Sequence, residues 1–131
     1  MADKIAFDLV SPERLLISDR ADMVTIPATE GYMGVMAGHA PVVTTLRHGM
    51  IDVSNDGTNT RFFIRGGFAE INAAKINVLA EAAIPMTEMD IAVIDQQIRD
   101  AEEDLVAAQT DAERQKISET LDDLRLVRAA F

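Results

Sequence analysis

The chain has 131 residues, no cysteine, two histidines and a net charge of −10 at pH 7. A chain of this length can bury roughly two-thirds of its unfolded surface, so a core can form by packing alone. The missing cysteines exclude disulfides and thiolate metal sites, and two histidines leave little for a transition metal. Residues 1–87 carry 10 acids and 7 bases, residues 88–131 carry 12 acids and 5 bases. That acidic second part argues against nucleic-acid binding, which needs a basic footprint. It reads instead as a solvated helical face or as an attraction for a basic partner.

The N-terminus, MADKIAFDLV, lacks the apolar run of a signal peptide, and no stretch of the chain approaches a membrane span. The expectation is an intracellular, soluble chain that meets a membrane only through a partner.

Up to Pro85 the pattern is that of strands. Ile5, Phe7 and Leu9 alternate with Ala6, Asp8 and Val10. Ser11-Pro12-Glu13 signals a turn. Leu15–Ile17 and Met23–Ile26 are short β-prone runs, separated by the polar Ser18-Asp19-Arg20, and Pro27 is expected to end the second. Pro41–Leu46 predicts a strand closed by Arg47-His48-Gly49. Met50–Val53 and Thr60–Arg65 flank Asp56-Gly57, a hairpin signal because glycine accepts positive φ. Gly66-Gly67 precedes Phe68–Ile71, and Asn72–Lys75 turns into Ile76–Ala80. Many short strands so spaced predict a sandwich or barrel.

After Pro85 the period becomes helical. Thr87-x-x-Asp90 has the form of a capping box, and Ile91, Ile94, Ile98, Ala101, Leu105 and Ala108 recur at spacings of three and four. Gln109-Thr110-Asp111 breaks the run. Thr110-x-x-Glu113 offers a second box, followed by a seam of Ile117, Leu121, Leu124 and Val127 or Arg128. So short a link makes the helices antiparallel. The spacing therefore predicts residues 1–86 as a β domain and 87–131 as a helical hairpin, with helices at about 88–108 and 111–130.

No constellation for bond chemistry emerges. The glycines of Glu30-Gly31-Tyr32-Met33-Gly34-Val35-Met36-Ala37-Gly38-His39-Ala40-Pro41 invite a phosphate-loop reading. Neither G-x-x-x-x-G-K-S/T nor G-x-G-x-x-G opening a helix is present, and no lysine is near. Bulges and sharp turns, or an exposed contact surface, suit these residues better. His39 and His48 lie apart from each other and from acid clusters, so backbone-bonded turn histidines are the better reading than a general base. No serine sits in a nucleophile elbow. Asp90, Asp95 and Asp100 recur every five residues and so drift around the helix. Glu102-Glu103-Asp104 lacks the loop geometry of a calcium site. No metal or other cofactor is implied.

The run Ala21–Pro27, then Glu30-Gly31-x-x-Gly34-Val35-x-x-Gly38-His39-Ala40-Pro41-Val42-Val43-Thr44-x-Leu46, resembles the epsilon subunit of bacterial F-type ATP synthases. So does Gly66-Gly67-Phe68-x-Glu70-Ile71 followed by Val78-Leu79-Ala80. The resemblance covers essentially the whole chain. It implies a flattened β-sandwich of about ten short strands, followed by an antiparallel two-helix hairpin. It implies a non-catalytic rotor subunit of the central stalk in a proton-translocating enzyme. The sandwich would sit on the gamma subunit and the c-ring and couple ring rotation to the catalytic head. The hairpin would be the part that reaches the alpha and beta subunits. The location implied is the cytoplasmic face of the bacterial inner membrane, peripheral and without insertion.

By the same resemblance, the contact with the ring and gamma falls on Glu30, Gly31 and Tyr32, with His39 nearby. The family often has an acid where this chain has Tyr32, and proline where it has Ala37. Some members bind ATP through an I/L-D-x-x-R-A motif. Here Met89-Asp90-Ile91-Ala92-Val93-Ile94 matches at Asp90, but Val93 stands in the arginine place. Shifting the frame to Ile94-Asp95 puts Ile98 there and leaves Arg99 one residue late. Valine cannot donate to a phosphate. A degenerate site at Asp90 and Arg99, binding ATP weakly or not at all, is expected, and with it weak inhibition of hydrolysis at most. The competing readings are a free-standing nucleotide-sensing module, which the missing arginine disfavours, and an enzyme built on the His39 loop, which lacks a base, nucleophile and oxyanion site.

Overall fold

The computed structural model describes residues 3–131. Two compact units divide the chain, Met1–Met86 and Thr87–Phe131.

The first unit contains eight strands: β1 (Ile5–Val10), β2 (Leu15–Ala21), β3 (Met23–Ala28), β4 (Gly31–Val35), β5 (Val42–Asn55), β6 (Thr58–Ile71), β7 (Lys75–Ala80) and β8 (Ala83–Pro85). They follow the order β2-β1-β7-β6-β5-β3-β4, with β8 beside β6. Neighbours pair antiparallel except β1 and β7, which run parallel.

Two layers arise from one path because β5 and β6 bend together. In β5, Leu46 is buried and then Gly49, Ile51 and Val53, so the inward phase slips by one residue across Arg47-His48. In β6, Phe62 and Ile64 face in before the bend and Ala69 and Ile71 after it. A one-residue slip turns every later side chain to the other face of its strand. Here it keeps the apolar face on the core as the ribbon passes from one layer to the next. The C-terminal half of β6 pairs with β7, while its N-terminal half pairs with β8. Counting each arm of β5 and β6 separately turns eight strands into the ten of a flattened sandwich.

Gly66 and Gly67 form the corner, at φ +73° and +127°. At Gly67 a Cβ would lie 2.1 Å from the Leu79 carbonyl oxygen. Only glycine meets both demands. The Asp56-Gly57 turn has φ of 52° and 78°, and Asn55 pairs with Thr58. Two successive positive φ values define the type I′ turn that suits a two-residue hairpin.

The core draws on both layers: Ile5, Phe7, Leu9, Ile76 and Val78 from one, Val24, Ile26, Ile51, Phe62 and Ile64 from the other. Each large side chain buried this way contributes roughly 1.5–3 kcal/mol.

Several sequence expectations need correction. Ser18-Asp19-Arg20 does not separate two runs but continues β2, an edge strand whose outward positions can be polar; Ser18 Oγ donates to Asp8 Oδ1 at 2.7 Å. Pro27 does not end β3. It is buried within the strand, where the β3–β5 register shifts between Thr25 and Ala28, so its missing N–H interrupts no ladder bond there. Arg47-His48-Gly49 does not close a strand but bends one.

The second unit holds α1 (Ile91–Ala107) and α2 (Asp111–Ala129). Met86–Glu88 is a single 3-10 turn, so α1 begins later than the spacing predicted. Its cap is Asp90 rather than Thr87: the Asp90 carboxylate accepts from Ala92 N at 2.8 Å. Thr110 caps α2, accepting from Glu113 N at 3.1 Å, and Glu113 reaches back to Gln109 N at 3.2 Å. Ile94, Ala101, Leu121 and Val127 are buried, all on the anticipated seams. Ile91 is not: it is exposed at the open end of the hairpin, because α2 ends opposite the next turn.

Candidate functional site

Glu30 lies in the turn between β3 and β4, and Gly31 opens β4 at φ +138°. Tyr32 pairs with Pro27 across β3–β4 and points away from the core, 54% exposed. With Thr29 and Met33, these residues line an open groove whose other wall is Val42–Thr44 of β5. Glu30, Gly31 and Tyr32 are therefore brought together. His39 is not among the residues lining that groove.

His39 belongs to the exposed loop after β4. Its ring Nδ1 lies 2.7 Å from its neighbour Ala40's carbonyl oxygen, and its backbone N donates to Met36 O. The loop is tied to the β6–β7 turn by Gly38 N donating to Ala73 O at 2.8 Å. With Lys4, Arg20 and Ala74 it borders a second open groove. A backbone-bonded ring of this kind is held in place by its own loop.

Three residues that sequence reasoning passed over hold Tyr32. The Arg47 guanidinium sits 5.3 Å from the centre of its ring, a cation–π distance. Met50 N lies 3.4 Å from the hydroxyl, a long donor contact. Gly49 leaves room for the ring: a Cβ there would stand 2.6 Å from Pro27 Cβ and 3.1 Å from the Tyr32 hydroxyl. A glycine interrupting a β-prone run is the one sequence signal that pointed here.

Another part of the outer surface carries an apolar row set by register. Phe68 pairs with Leu79, Leu79 with Val10, and Val10 with Leu15. Phe68, Leu79 and Leu15 are 44%, 47% and 58% exposed, and Val43 nearby on β5 is 68% exposed. Contiguous exposed apolar side chains on a sheet face mark an interaction surface more often than a free one.

In the hairpin, Asp90 and Arg99 are not brought together. Nine residues separate them, about two and a half turns, which leaves them on opposite sides of α1. The Asp90 carboxylate is engaged as a cap, and Arg99 Nη2 donates to Gln96 Oε1 at 2.8 Å. Glu102, Glu103 and Asp104 are exposed, and among the described residues no group of three acids or histidines is placed to hold a metal ion. No helix there is long and apolar enough to cross a membrane.

Two charge clusters brace the sandwich. Lys4 bonds Asn55, Asp56 at 2.8 Å and Asp22 at 3.3 Å. The Asp56 side chain, above all, raises the Lys4 ammonium pKa. Asp22 accepts from Asp56 N at 2.8 Å, and that bond, with Lys4, holds its carboxyl below the usual range. Asp8 is lowered by Ser18 first and by Lys75, 3.0 Å away, second.

A flattened sandwich whose strands turn at a double-glycine corner, followed by a helical hairpin, defines a structural class. The family model for the delta/epsilon chain β-sandwich domain of ATP synthase matches residues 4–86. The ATP synthase epsilon chain of Parvibaculum lavamentivorans is 51% identical over 129 residues, 98% of either chain. That of Maricaulis maris is 47% identical over 114 residues, 87% of this chain and 86% of its own. Among solved structures, a chain of the Euglena gracilis mitochondrial ATP synthase, determined with OSCP, F1 and c-ring, superposes with a TM-score of 0.85 at 25% identity, covering 97% of this chain and 81% of that one. A chain of the Tetrahymena thermophila central stalk and c-ring shares the fold, with a TM-score of 0.65 at 14% identity. The protein belongs to the epsilon-chain family of ATP synthases, and as such is a subunit of that complex.

Proposed function

We propose that the chain is a non-catalytic rotor subunit that joins gamma to the c-ring, at the cytoplasmic face of the bacterial inner membrane, without entering the bilayer. The observation that carries this reading is the pairing of two different outer surfaces on one stiff sandwich. The apolar row Leu15, Val10, Leu79 and Phe68 suits a lasting protein contact. We assign it to gamma. The polar groove at Glu30, Gly31 and Tyr32 suits the hydrated loops of a membrane ring. His39, which follows the loop residues Met36–Gly38 that line the second groove, is assigned to the same contact. A rigid core between the two surfaces passes torque without bond chemistry.

Co-purification of the chain with gamma and the c-ring tests the assignment. Wild-type chain retained by both is expected. Phe68→Glu should release gamma, and Glu30→Lys should weaken retention by the ring. A chain that stays monomeric beside both partners overturns the reading.

The hairpin is assigned weak regulation of hydrolysis at most, through alpha and beta. α2 has five acids against Arg114, Lys116, Arg125 and Arg128, a slight acidic excess that gives it no net attraction for an acidic partner. ATP binding is weak or absent, because Asp90 is consumed as a cap and Val93 replaces a phosphate donor. Calorimetry at cellular ATP concentration checks this, with no saturable signal expected. Deleting residues 88–131 should change ATPase activity of the assembled complex by less than about twofold.

A further inference from the structure

The hairpin is covalently joined only at residues 108–110, and its other end is open. Two helices linked at one end separate most easily at the other, where no chain connection limits them. Ion pairs cross between the helices: at the open end Arg128 Nε to Asp95 Oδ1 at 2.7 Å, and farther along α1 toward the link Arg125 Nη2 to Glu102 Oε2 at 3.5 Å. Asp95 and Glu102 are seven residues apart on α1, two turns along one face. Arg125 and Arg128 are three apart on α2, one turn along one face. Antiparallel packing sets the two pairs along a single edge, beside the buried seam of Ile94, Ala101, Leu121 and Val127.

The placement is reinforced by the helices themselves. Arg128 lies in the last turn of α2, where the C-terminal dipole favours a cation. Asp95 lies near the N-terminus of α1, where an anion is favoured, though the effect fades beyond the first turn. Arg128 therefore has a reason to be in place before the helices meet. The rest of the charge opposes closure: outside these pairs α1 has three acids and one base, α2 five acids and two bases. Beside so short a seam and a net repulsion, the crossing pairs are charges that favour closure of the last turns.

We propose that Asp95–Arg128 and Glu102–Arg125 form an electrostatic clasp that holds the C-terminal turns of α2 against α1 and sets how readily that end of the hairpin opens. Exposed ion pairs contribute modestly one at a time. That magnitude suits a contact that can part and re-form rather than a permanent bond. The clasp acts on α2 from about Leu121 onward, and leaves the Thr110 end to its own cap and link.

Amide hydrogen exchange on the full chain tests it. In Asp95→Asn with Glu102→Gln, exchange of residues 121–130 should rise roughly threefold to tenfold, as expected for the loss of two exposed pairs. Exchange in β1–β7 should stay as in wild type and report that the protein is folded. The single reversal Asp95→Arg should open the end further, since it sets two cations together. Asp95→Arg with Arg128→Asp restores the pair with opposite sense and should recover most of the protection. Unchanged exchange in the neutral variant overturns the proposal. So does a swap that protects no better than the single reversal, because a packing role for these side chains would not be rescued by exchanging their charges.

Discussion

The two units of this chain are stabilised in different ways. The sandwich buries seventeen residues in one cluster that draws on strands distant in sequence, and its pairings span the unit. The hairpin buries four residues along a narrow stripe, with its caps and ion pairs supplied by near neighbours or by the facing helix. A fold built on register resists local opening, since one strand cannot slip without exposing its whole inward face. A fold built on local turns forms easily and opens easily.

The sharpest way to break the comparison is at the sandwich corner. Gly67→Ala forces a Cβ against the Leu79 carbonyl and requires a positive φ from alanine. A loss of about 3–5 kcal/mol is expected, read as a fall in the denaturant midpoint. Ile64→Ala, fully buried between the layers, should cost about 3 kcal/mol through transfer and cavity terms. If the hairpin were as cooperative as the sandwich, Leu121→Ala would raise exchange evenly over both units. The expected result is a rise concentrated in α1 and α2.

Smaller effects sharpen the contrast. Thr110→Ala removes the cap of α2 and should cost that helix about 1 kcal/mol, seen as fraying of residues 111–114. The smallest change is in acid. Asp8 and Asp22 have carboxyl pKa values below their ordinary 3.8. A group depressed in the folded state contributes stability above its ordinary pKa and loses it as pH falls through the depressed one. The sandwich should therefore weaken from about pH 4 downward, and Asp22→Asn should flatten part of that decline in acid titration followed by circular dichroism. Lys4, with a raised pKa, acts in the opposite range: its contribution is complete below 10.5 and fades as pH rises through the folded value.

Legibility in the sequence followed the same division. The alternation of Ile5, Phe7 and Leu9, the Asp56-Gly57 turn and the helical seams are short-range patterns, and each appears in the structure. Sequence reasoning stopped β5 at Arg47 and broke the chain at Gly66-Gly67, because a polar or glycine pair reads as an ending. Only the partner strand shows that both are places where a paired ribbon bends. β8 was missed outright: three residues carry no periodicity and become a strand only by lying beside Phe62–Ile64. For the candidate surface, Glu30, Gly31 and Tyr32 are neighbours in sequence and remain so in space. Arg47, Gly49 and Met50 come to Tyr32 through the β3–β5 and β3–β4 pairings, and no spacing rule could connect them.

The sequence by itself determined the β-then-α order, the acidic hairpin, the two-residue turn and the absence of an active-site motif, since these depend on composition and on contacts within a few residues. The tertiary structure decided where one ribbon becomes two layers, which face each strand turns outward, and which charges meet across the hairpin. Those outcomes depend on register between segments far apart in the chain. Register is fixed by the fit of whole faces and the clashes of single atoms, such as a Cβ at Gly67, and not by any residue's local preference.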